Sequence, residues 1–155
     1  MDFSKIKTGG KFLTNVVGSE KVFCKELFSE EEKMIYEAMK DFATNELLPL
    51  SQNELNKKDE KLIRKLVEQM GELGFLGIDV PEKYGGSEMT KTGMCILAEG
   101  ISFCGSPSFC TVWNVQTSIG SLGIIWYGND EQKKKWLPGI CSGEKIAAFG
   151  LTEPE

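Results

Sequence analysis

Apolar residues recur at three- and four-residue steps along most of this chain, and this period predicts helices. The first series follows Ser29, whose spacing to Glu32 is that of a capping box, and Pro49 ends it. Its apolar members are Met34, Ile35, Ala38, Met39, Phe42 and Leu47. The two-residue alternation of a half-buried strand is absent between Ser29 and Pro138, so we predict a mainly α fold.

Cap and stop residues place the next predicted helix and the loop after it. Asp59 is suited to cap the second helix, and Gly74 is suited to end it in a left-handed conformation. Pro81 and the Gly85–Gly86 pair predict a loop over residues 74–86. The predicted inner face of the second helix consists of Leu62, Ile63, Leu66, Val67, Met70 and Leu73.

The same signals divide the following residues into further helices. A third helix is predicted over Lys91 to Ser102, and Ser106 with a proline after it begins a fourth that runs to Ile119. Asn129 and Gln132 form a cap pair that opens the last helix. Together these segments account for the predicted helical domain.

The pattern changes after Pro138, which we predict to end the last helix. The segment KIAAFGLT, Lys145 to Thr152, is short and apolar and has no helix signals, which favours a strand. One strand alone is not stable, so this strand needs partners that the helical domain does not supply. We therefore predict a leader over residues 1–27, a helical domain over 28–143 and the start of a β domain over 144–155.

Composition excludes several classes of function. The net charge of −5 and the lack of a basic block argue against a nucleic-acid partner. The chain has no histidine, and its five cysteines include no C-x-x-C, which argues against a zinc site and against an activated cysteine nucleophile. Neither a signal-peptide core nor an apolar run of about 20 residues occurs. We expect a cytoplasmic protein, or one of the mitochondrial matrix if the source is eukaryotic.

Two segments carry a resemblance to a known family. VPEKYGG, Val80 to Gly86, and GNDEQKKKWLPGICSGEKIAAFGLTEPE, Gly128 to Glu155, are similar to stretches of the acyl-CoA dehydrogenases. The second is similar to the family pattern G-x-x-E-Q-K-x-K-x-L-P-x-L-x-x-G-E followed by A-x-x-L-T-E-P. The leader, with GGKFL at residues 9–13, resembles the branch that includes the very-long-chain enzymes. An apolar anchor and a flexible tail are both open for this leader.

The resemblance implies a fold and an activity. Family members have a helical N-terminal domain, a β-sheet middle domain and a C-terminal four-helix domain, and this sequence matches the first and the opening strand of the second. It therefore predicts a fragment of an FAD-dependent enzyme that introduces a double bond between the α and β carbons of fatty acyl-CoA thioesters. The implied partners are the acyl-CoA substrate, an electron-transferring flavoprotein and further copies of the chain in a homo-oligomer.

The resemblance also implies roles for particular residues. Phe149, Leu151 and Thr152 match positions that contact the isoalloxazine ring of FAD, with the hydroxyl and amide of Thr152 near its reactive nitrogen. Thr111 and Val115 match a helix face that lines the acyl-chain pocket. The alternatives are that Phe149 and Leu151 are core residues, Thr152 a turn residue, and Thr111 and Val115 ordinary helix-packing residues.

No catalytic residue and no metal ligand is assigned to this chain. The catalytic glutamate of the family lies in the C-terminal domain, and we interpret Glu99 as a helix-surface or salt-bridged carboxylate. Several relatives carry histidine where this sequence has Gln116. We expect the fragment alone to be inactive and to bind FAD weakly or not at all. A free-standing helical interaction module and a fragment of an acyl-CoA oxidase remain as alternatives.

Overall fold

The structure is a computed structural model that describes residues 6–7, 21–22, 24–50, 54–55, 57 and 59–153. The chain divides into two compact units, Met1–Lys33 and Met34–Glu155. Most of the predicted leader, including the apolar anchor and the Gly9–Gly10 pair, lies outside the described residues, as does most of the polar run 51–58. The unit boundary falls inside the first long helix.

The first unit contains a short parallel pairing that the sequence pattern did not predict. Strands β1, Ile6–Lys7, and β2, Lys21–Val22, pair in the register Ile6 to Lys21 and Lys7 to Val22. A 3₁₀ turn, Lys25–Leu27, follows.

The capping box predicted at Ser29 is confirmed. The amide of Glu32 donates to Ser29 Oγ at 3.1 Å, and the amide of Ser29 donates to Glu32 Oε2 at 2.9 Å. Two free amides at the start of a helix are satisfied in this way, which fixes where helix α1, Glu30–Phe42, begins.

The helices and short turns of the chain follow in sequence order. They are α1 (Glu30–Phe42) with a π-helical continuation (Ala43–Leu47) and a 3₁₀ turn (Leu48–Leu50), α2 (Glu60–Glu72), a 3₁₀ turn (Glu82–Tyr84), α3 (Lys91–Ile101) with a 3₁₀ turn (Ser102–Cys104), α4 (Pro107–Thr117), α5 (Leu122–Tyr127) and α6 (Asp130–Cys141). The mainly α fold predicted from the apolar period is confirmed.

The predicted helix caps are also present. Asp59 Oδ1 accepts from the second and third amides of α2 at 3.0 and 3.2 Å. Ser106 caps α4, with a proline at its first position, and Asn129 and Gln132 form a complete capping box on α6. Such caps stabilise a helix by about 1 kcal/mol each.

The main core of the second unit lies between the inner faces of α1 to α4. The largest fully buried side chains of this core include Met39, Leu47, Met70, Phe75, Leu97, Ile101 and Phe109. Burial of each such side chain contributes about 1.5–3 kcal/mol to the stability of the fold. A second cluster joins the loop after α2 to α6 through Val80, Tyr84, Leu137, Ile140 and Cys141.

Three residues of the predicted apolar stripes, Met34, Ala38 and Leu73, are exposed. Met34 is 72% exposed and Leu73 is 53% exposed. Leu73 occupies the C-cap of α2, and the chain turns immediately afterwards at Gly74, which has φ +77°. The left-handed turn takes Leu73 off the buried stripe. Among the residues that the structure describes, no helix is long and apolar enough to cross a membrane.

The prediction that Pro138 ends the last helix is wrong. Helix α6 continues through Pro138 to Cys141. An interior proline removes one helical hydrogen bond and costs about 3 kcal/mol. The buried side chains of Leu137, Ile140 and Cys141 on either side of it offset that cost. The Pro138 carbonyl still accepts from the amide of Ser142 at 3.0 Å.

The predicted strand over Lys145 to Thr152 is not formed. Residues 146–153 are in neither a helix nor a strand. A strand is defined by the ladder that it makes with a neighbour, and no neighbouring strand pairs with this segment within the described residues. The prediction of a domain boundary at residue 144 stays a prediction.

Candidate functional site

The segment after α6, residues 146–153, presents apolar side chains to the outside. Phe149 is 56% exposed, Leu151 is 78% exposed and Thr152 is also exposed. Within the described part of the chain, no hydrogen bond uses the backbone amides of residues 149–152. The three residues predicted to contact a flavin therefore lie together on one open segment, and Phe149 and Leu151 are not core residues of this chain.

Gln116 fastens the start of this segment. Its side chain, on α4, is only 1% exposed. Nε2 donates to the carbonyl of Ile140 at 3.0 Å and to the carbonyl of Lys145 at 2.8 Å, while Oε1 accepts from the amide of Ala147 at 2.7 Å. No local sequence signal could indicate this role of Gln116, because its partners lie 24 to 31 residues away.

A groove lies beside the fastened segment. The groove has a volume of about 360 Å³. A second cavity of about 300 Å³ adjoins it, and Ile124 and Trp136 line both. The groove is lined by Gly120, Ile124, Trp136, Ile140, Lys145, Ile146, Ala147 and Ala148. Trp126, Tyr127 and Trp136, in α5 and α6, are 57%, 86% and 39% exposed, so aromatic rings are open to the outside in this part of the unit.

The two predicted substrate residues lie one turn apart on α4. Thr111 is exposed and borders a cavity of about 290 Å³ with Ala98, Ile101, Cys110, Trp113 and Asn114. Its hydroxyl donates to the carbonyl of Pro107 at 3.0 Å. Val115 is half-buried, does not line that cavity, and accepts the amide of Gly120 at 2.9 Å.

Comparison with known proteins identifies the family of the helical domain. A family model described as the N-terminal domain of acyl-CoA dehydrogenase matches residues 29–144. This chain belongs to the acyl-CoA dehydrogenase family. The predicted family is therefore confirmed, and the matched range nearly coincides with the predicted helical domain.

Individual relatives agree with this assignment. A probable acyl-CoA dehydrogenase of Bacillus subtilis is 42% identical over 149 residues, which are 96% of this chain and 25% of the relative. The crystal structure of an acyl-CoA dehydrogenase complexed with FAD from Bacillus anthracis is similar with a TM-score of 0.83 and 43% identity, over 94% of this chain and 24% of that one. A structure of the electron transferring flavoprotein of Acidaminococcus fermentans gives a TM-score of 0.71 and 32% identity, over 84% of this chain and 34% of that one. The chain spans about a quarter of the length of the Bacillus subtilis and Bacillus anthracis relatives described above.

The VPEKYGG stretch that carries part of the family resemblance has a structural explanation. Gly85 has φ +88°, a left-handed conformation that favours glycine. A Cβ on Gly86 would lie 1.9 Å from the carbonyl oxygen of Val80, so a side chain does not fit there. Tyr84 is buried, and its hydroxyl donates to Asp130 Oδ1 at 2.6 Å, which ties the loop to the start of α6.

The Tyr84–Asp130 contact predicts a measurable pKa change. The Tyr84 hydroxyl, and secondarily the Lys83 ammonium 4.0 Å away, hold the pKa of the Asp130 carboxyl below its ordinary value. We expect Tyr84→Phe to raise that pKa towards the ordinary value, measured by NMR titration of the Asp130 side chain. The contact stabilises the fold above the ordinary carboxyl pKa and is lost as the pH falls through the lowered one, so the variant loses part of this pH dependence. An unchanged pKa in Tyr84→Phe would contradict the assignment. Lys83→Gln, which keeps the hydroxyl, is the comparison variant and should raise the pKa less, because the Lys83 charge is the smaller cause.

Two thiols among the described residues, Cys110 and Cys141, have raised pKa values. Cys104 Sγ and Cys110 Sγ lie 3.4 Å apart, and burial together with this neighbour raises the pKa of Cys110 to about 12. Burial raises the pKa of Cys141 to about 11. These two thiols stay protonated at neutral pH, which opposes a nucleophilic role. No cluster of three metal-ligating side chains occurs among the described residues, and Glu99 is exposed on α3.

Proposed function

We propose that this chain is the N-terminal part of an FAD-dependent acyl-CoA dehydrogenase that acts on fatty acyl-CoA thioesters. The observation that carries the proposal is the open segment at residues 149–152, fastened by Gln116 within a domain of this family. The Bacillus anthracis relative, which is 43% identical, is a complex with FAD.

The residues of the open segment fit a flavin. Phe149 and Leu151 present exposed apolar surface, and Thr152 adds a hydroxyl next to backbone amides that make no hydrogen bond within the described residues. A flat ring system with a polar edge needs this combination of apolar contact and donors. When bound, FAD supplies the acceptor for the hydride that leaves the substrate.

This chain's own residues bind and orient in the proposed reaction. Phe149 and Leu151 would contact the ring, and the Thr152 hydroxyl and amide would donate to its polar edge, where reduction adds negative charge. Thr111 and Val115, one helical turn apart, contact the acyl chain. The carboxylate that removes the α proton belongs to the C-terminal domain of the family, so the 155-residue chain alone does not turn over substrate.

The proposed partners and location follow from the family. The electron acceptor is an electron-transferring flavoprotein, the complete protein is a homo-oligomer, and it works in the cytoplasm or, in a eukaryote, the mitochondrial matrix. An acceptor other than this flavoprotein is the property that would separate an acyl-CoA oxidase from a dehydrogenase.

A chimera tests this function. In it, the 149 matched residues of the Bacillus subtilis relative are replaced by those of this chain, which are 42% identical. We expect the purified chimera to carry FAD and to oxidise acyl-CoA with an artificial electron acceptor, while the 155-residue chain alone retains no FAD on gel filtration. Transfer of electrons to O₂ instead would support the oxidase alternative. A folded chimera that carries FAD and leaves thioesters unoxidised would contradict the proposal and favour a non-catalytic interaction module.

The chimera also tests the role of Thr152. We expect Thr152→Val to weaken FAD binding about fivefold, because a hydrogen bond of about 1 kcal/mol is lost while the side-chain volume is kept. Glu153→Gln, at the adjacent exposed position, is the control and should leave FAD affinity unchanged. Equal affinities for Thr152→Val and the unmodified chimera would remove Thr152 from the site.

A further inference from the structure

The three bonds of Gln116 use both donors and one acceptor site of its side-chain amide. Its partners are two carbonyl oxygens and one amide N–H, so the amide group has a single orientation in which all three are satisfied. The side chain is nine-tenths or more buried, where an unsatisfied polar group is costly. Gln116 is therefore a fixed part of the fold.

The bonds to Lys145 and Ala147 imitate a strand. In a parallel ladder, a residue that is paired with residue j donates its N–H to the carbonyl of residue j−1, and its carbonyl accepts from the N–H of residue j+1. Gln116 does the same around Ile146, since Nε2 donates to the carbonyl of Lys145 and Oε1 accepts from the amide of Ala147. One side chain thus supplies the pairing that a neighbouring strand would give, although no strand lies there.

The position of this bond pair bears on the candidate flavin residues. Phe149 follows Ala147 by two residues, a span of at most about 7 Å of chain. The bond to Ile140 ties the same amide to the last turn of α6, so the start of the segment is fixed to two helices at once. Without Gln116, the segment would keep the bond from the Lys145 amide to the carbonyl of Gly139 at 2.8 Å and its apolar contacts at Gly120 and along the groove, but the Ala147 amide would lose its acceptor.

We propose that Gln116 is a positioning residue for flavin binding: it holds residues 145–147 extended, so that Phe149 to Thr152 are presented in one place. This rests on the proposed function. Gln116 touches no cofactor atom in this scheme and acts through the backbone of Lys145 and Ala147. The charged side chains of the held segment, Glu144 and Lys145, pair with each other at 3.0 Å.

Replacement of the Gln116 side-chain amide by a carboxyl group tests the two bonds to Lys145 and Ala147, here called the bond pair, in the 155-residue chain. At neutral pH, Gln116→Glu puts a carboxylate against two carbonyl oxygens and removes both donors. We expect hydrogen exchange of the Ala147 amide to become about 100-fold faster, because a buried carboxylate that faces two carbonyl oxygens and has the Ala147 amide as its donor disfavours the closed segment. Gln132→Glu is the matched control, since at that exposed cap a carboxylate still accepts from the amide of Asn129.

Acid should restore the bond pair. A protonated carboxyl has one O–H donor and one acceptor, which suffice for the carbonyl of Lys145 and the amide of Ala147. Burial raises the pKa of the introduced carboxyl in the folded state, so the folded variant binds the proton more tightly than the unfolded one. The stability of the variant is therefore closest to that of the unmodified protein below about pH 4.3, the pKa of the glutamate in the unfolded state. The variant loses stability as the pH rises through the higher pKa of the folded state. After correction for the intrinsic exchange rate, we expect the protection of the Ala147 amide in the variant to lie within threefold of that in the unmodified chain at the acidic end of the titration.

A second variant keeps the test decisive if the first folds poorly. Gln116→Leu removes the bonds without adding a charge, so we expect the helical circular dichroism to persist and the protection of Ala147 to be lost at every pH. Unchanged protection in both variants, or equal loss in Gln132→Glu, would overturn the proposed bond pair. Loss in Gln116→Glu that acid does not reverse would also overturn it.

The step to the flavin is measured in the chimera. We expect Gln116→Glu to weaken FAD binding at least tenfold at neutral pH and to shift the flavin absorption band, with both effects reversed by acid. FAD affinity that is unchanged while Ala147 loses protection would restrict Gln116 to packing and leave the proposed function intact. A chimera that never holds FAD, with the exchange results as expected, would instead contradict the proposed function alone.

Discussion

Gly71→Ala is expected to lower the free energy of unfolding by about 3 kcal/mol, the upper range for overpacking a close-packed interface. Gly71 lies in α2, and a Cβ there would lie 2.2 Å from the carbonyl oxygen of Ser142 and 2.3 Å from its carbonyl carbon. Both are backbone atoms, so α2 or the end of α6 must shift. For a chain of this size, that loss corresponds to a fall in Tm of roughly 6–12 °C, which thermal unfolding by circular dichroism would measure.

The sign of this effect is what makes the prediction specific. In a helix interior, alanine normally stabilises relative to glycine by about 0.5–1 kcal/mol. Gly123, in α5, has no atom within 4 Å of a built Cβ, so Gly123→Ala is the matched control and should be neutral or stabilising. Equal stabilisation by both variants would show that Ser142 does not approach α2 as described.

The close approach at Gly71 also concerns the candidate site. Gly143 has φ +79°, and a Cβ there would lie 2.7 Å from the carbonyl oxygen of Val67. Ser142 and Gly143 thus lie directly against α2, just before the segment that Gln116 fastens. We expect Gly71→Ala to speed hydrogen exchange at Ala147 as well, because both contacts hold the same part of the chain.

The helices and their starts were predictable from the sequence because their causes are local. A capping box needs only a residue and its third successor, as at Asn129 and Gln132, and an apolar stripe needs only the three- and four-residue steps of one helix. The left-handed end at Gly74 was predictable for the same reason. These signals act over a few residues and are visible without the tertiary structure.

The errors arose where distant contacts outweigh local preferences. Pro138 stops a helix in isolation, but buried neighbours on both sides keep α6 intact through it. The apolar segment after Lys145 has the composition of a strand, yet its one ordered pairing is with a side chain on α4. No pattern within the segment itself could indicate Gln116 as the partner, because the two are about 30 residues apart. The roles of the candidate flavin and substrate residues likewise came from family resemblance, since exposure of a short apolar segment is not encoded in its own sequence.

Trp113→Ala is expected to lower the free energy of unfolding by about 3–5 kcal/mol, the usual cost of truncating a buried tryptophan. Trp113 is 2% exposed in the main core, and its Nε1 donates to the carbonyl of Phe75 at 3.0 Å. The ring of Phe75 in turn makes an edge-to-face contact with Phe42, with centroids 6.2 Å apart. Truncation leaves both a cavity and an unpaired buried carbonyl, and urea unfolding would measure the sum.

Two further variants divide this loss of stability into its causes. One separates the cost of the cavity from that of the hydrogen bond, and the other compares a buried tryptophan with an exposed one. Trp113→Phe keeps most of the volume but leaves the Phe75 carbonyl unpaired, so it should cost about 1–3 kcal/mol. Trp126→Ala, at a ring that is 57% exposed, should change stability by no more than about 0.5–1 kcal/mol. If Trp126→Ala were as costly as Trp113→Ala, the aromatic surface of α5 would be covered within this chain and would not be available to the other domains of the proposed enzyme. A small effect at Trp126 beside a large one at Trp113 is expected if the helical core is complete by itself and the surface of α5 remains open for a contact outside it.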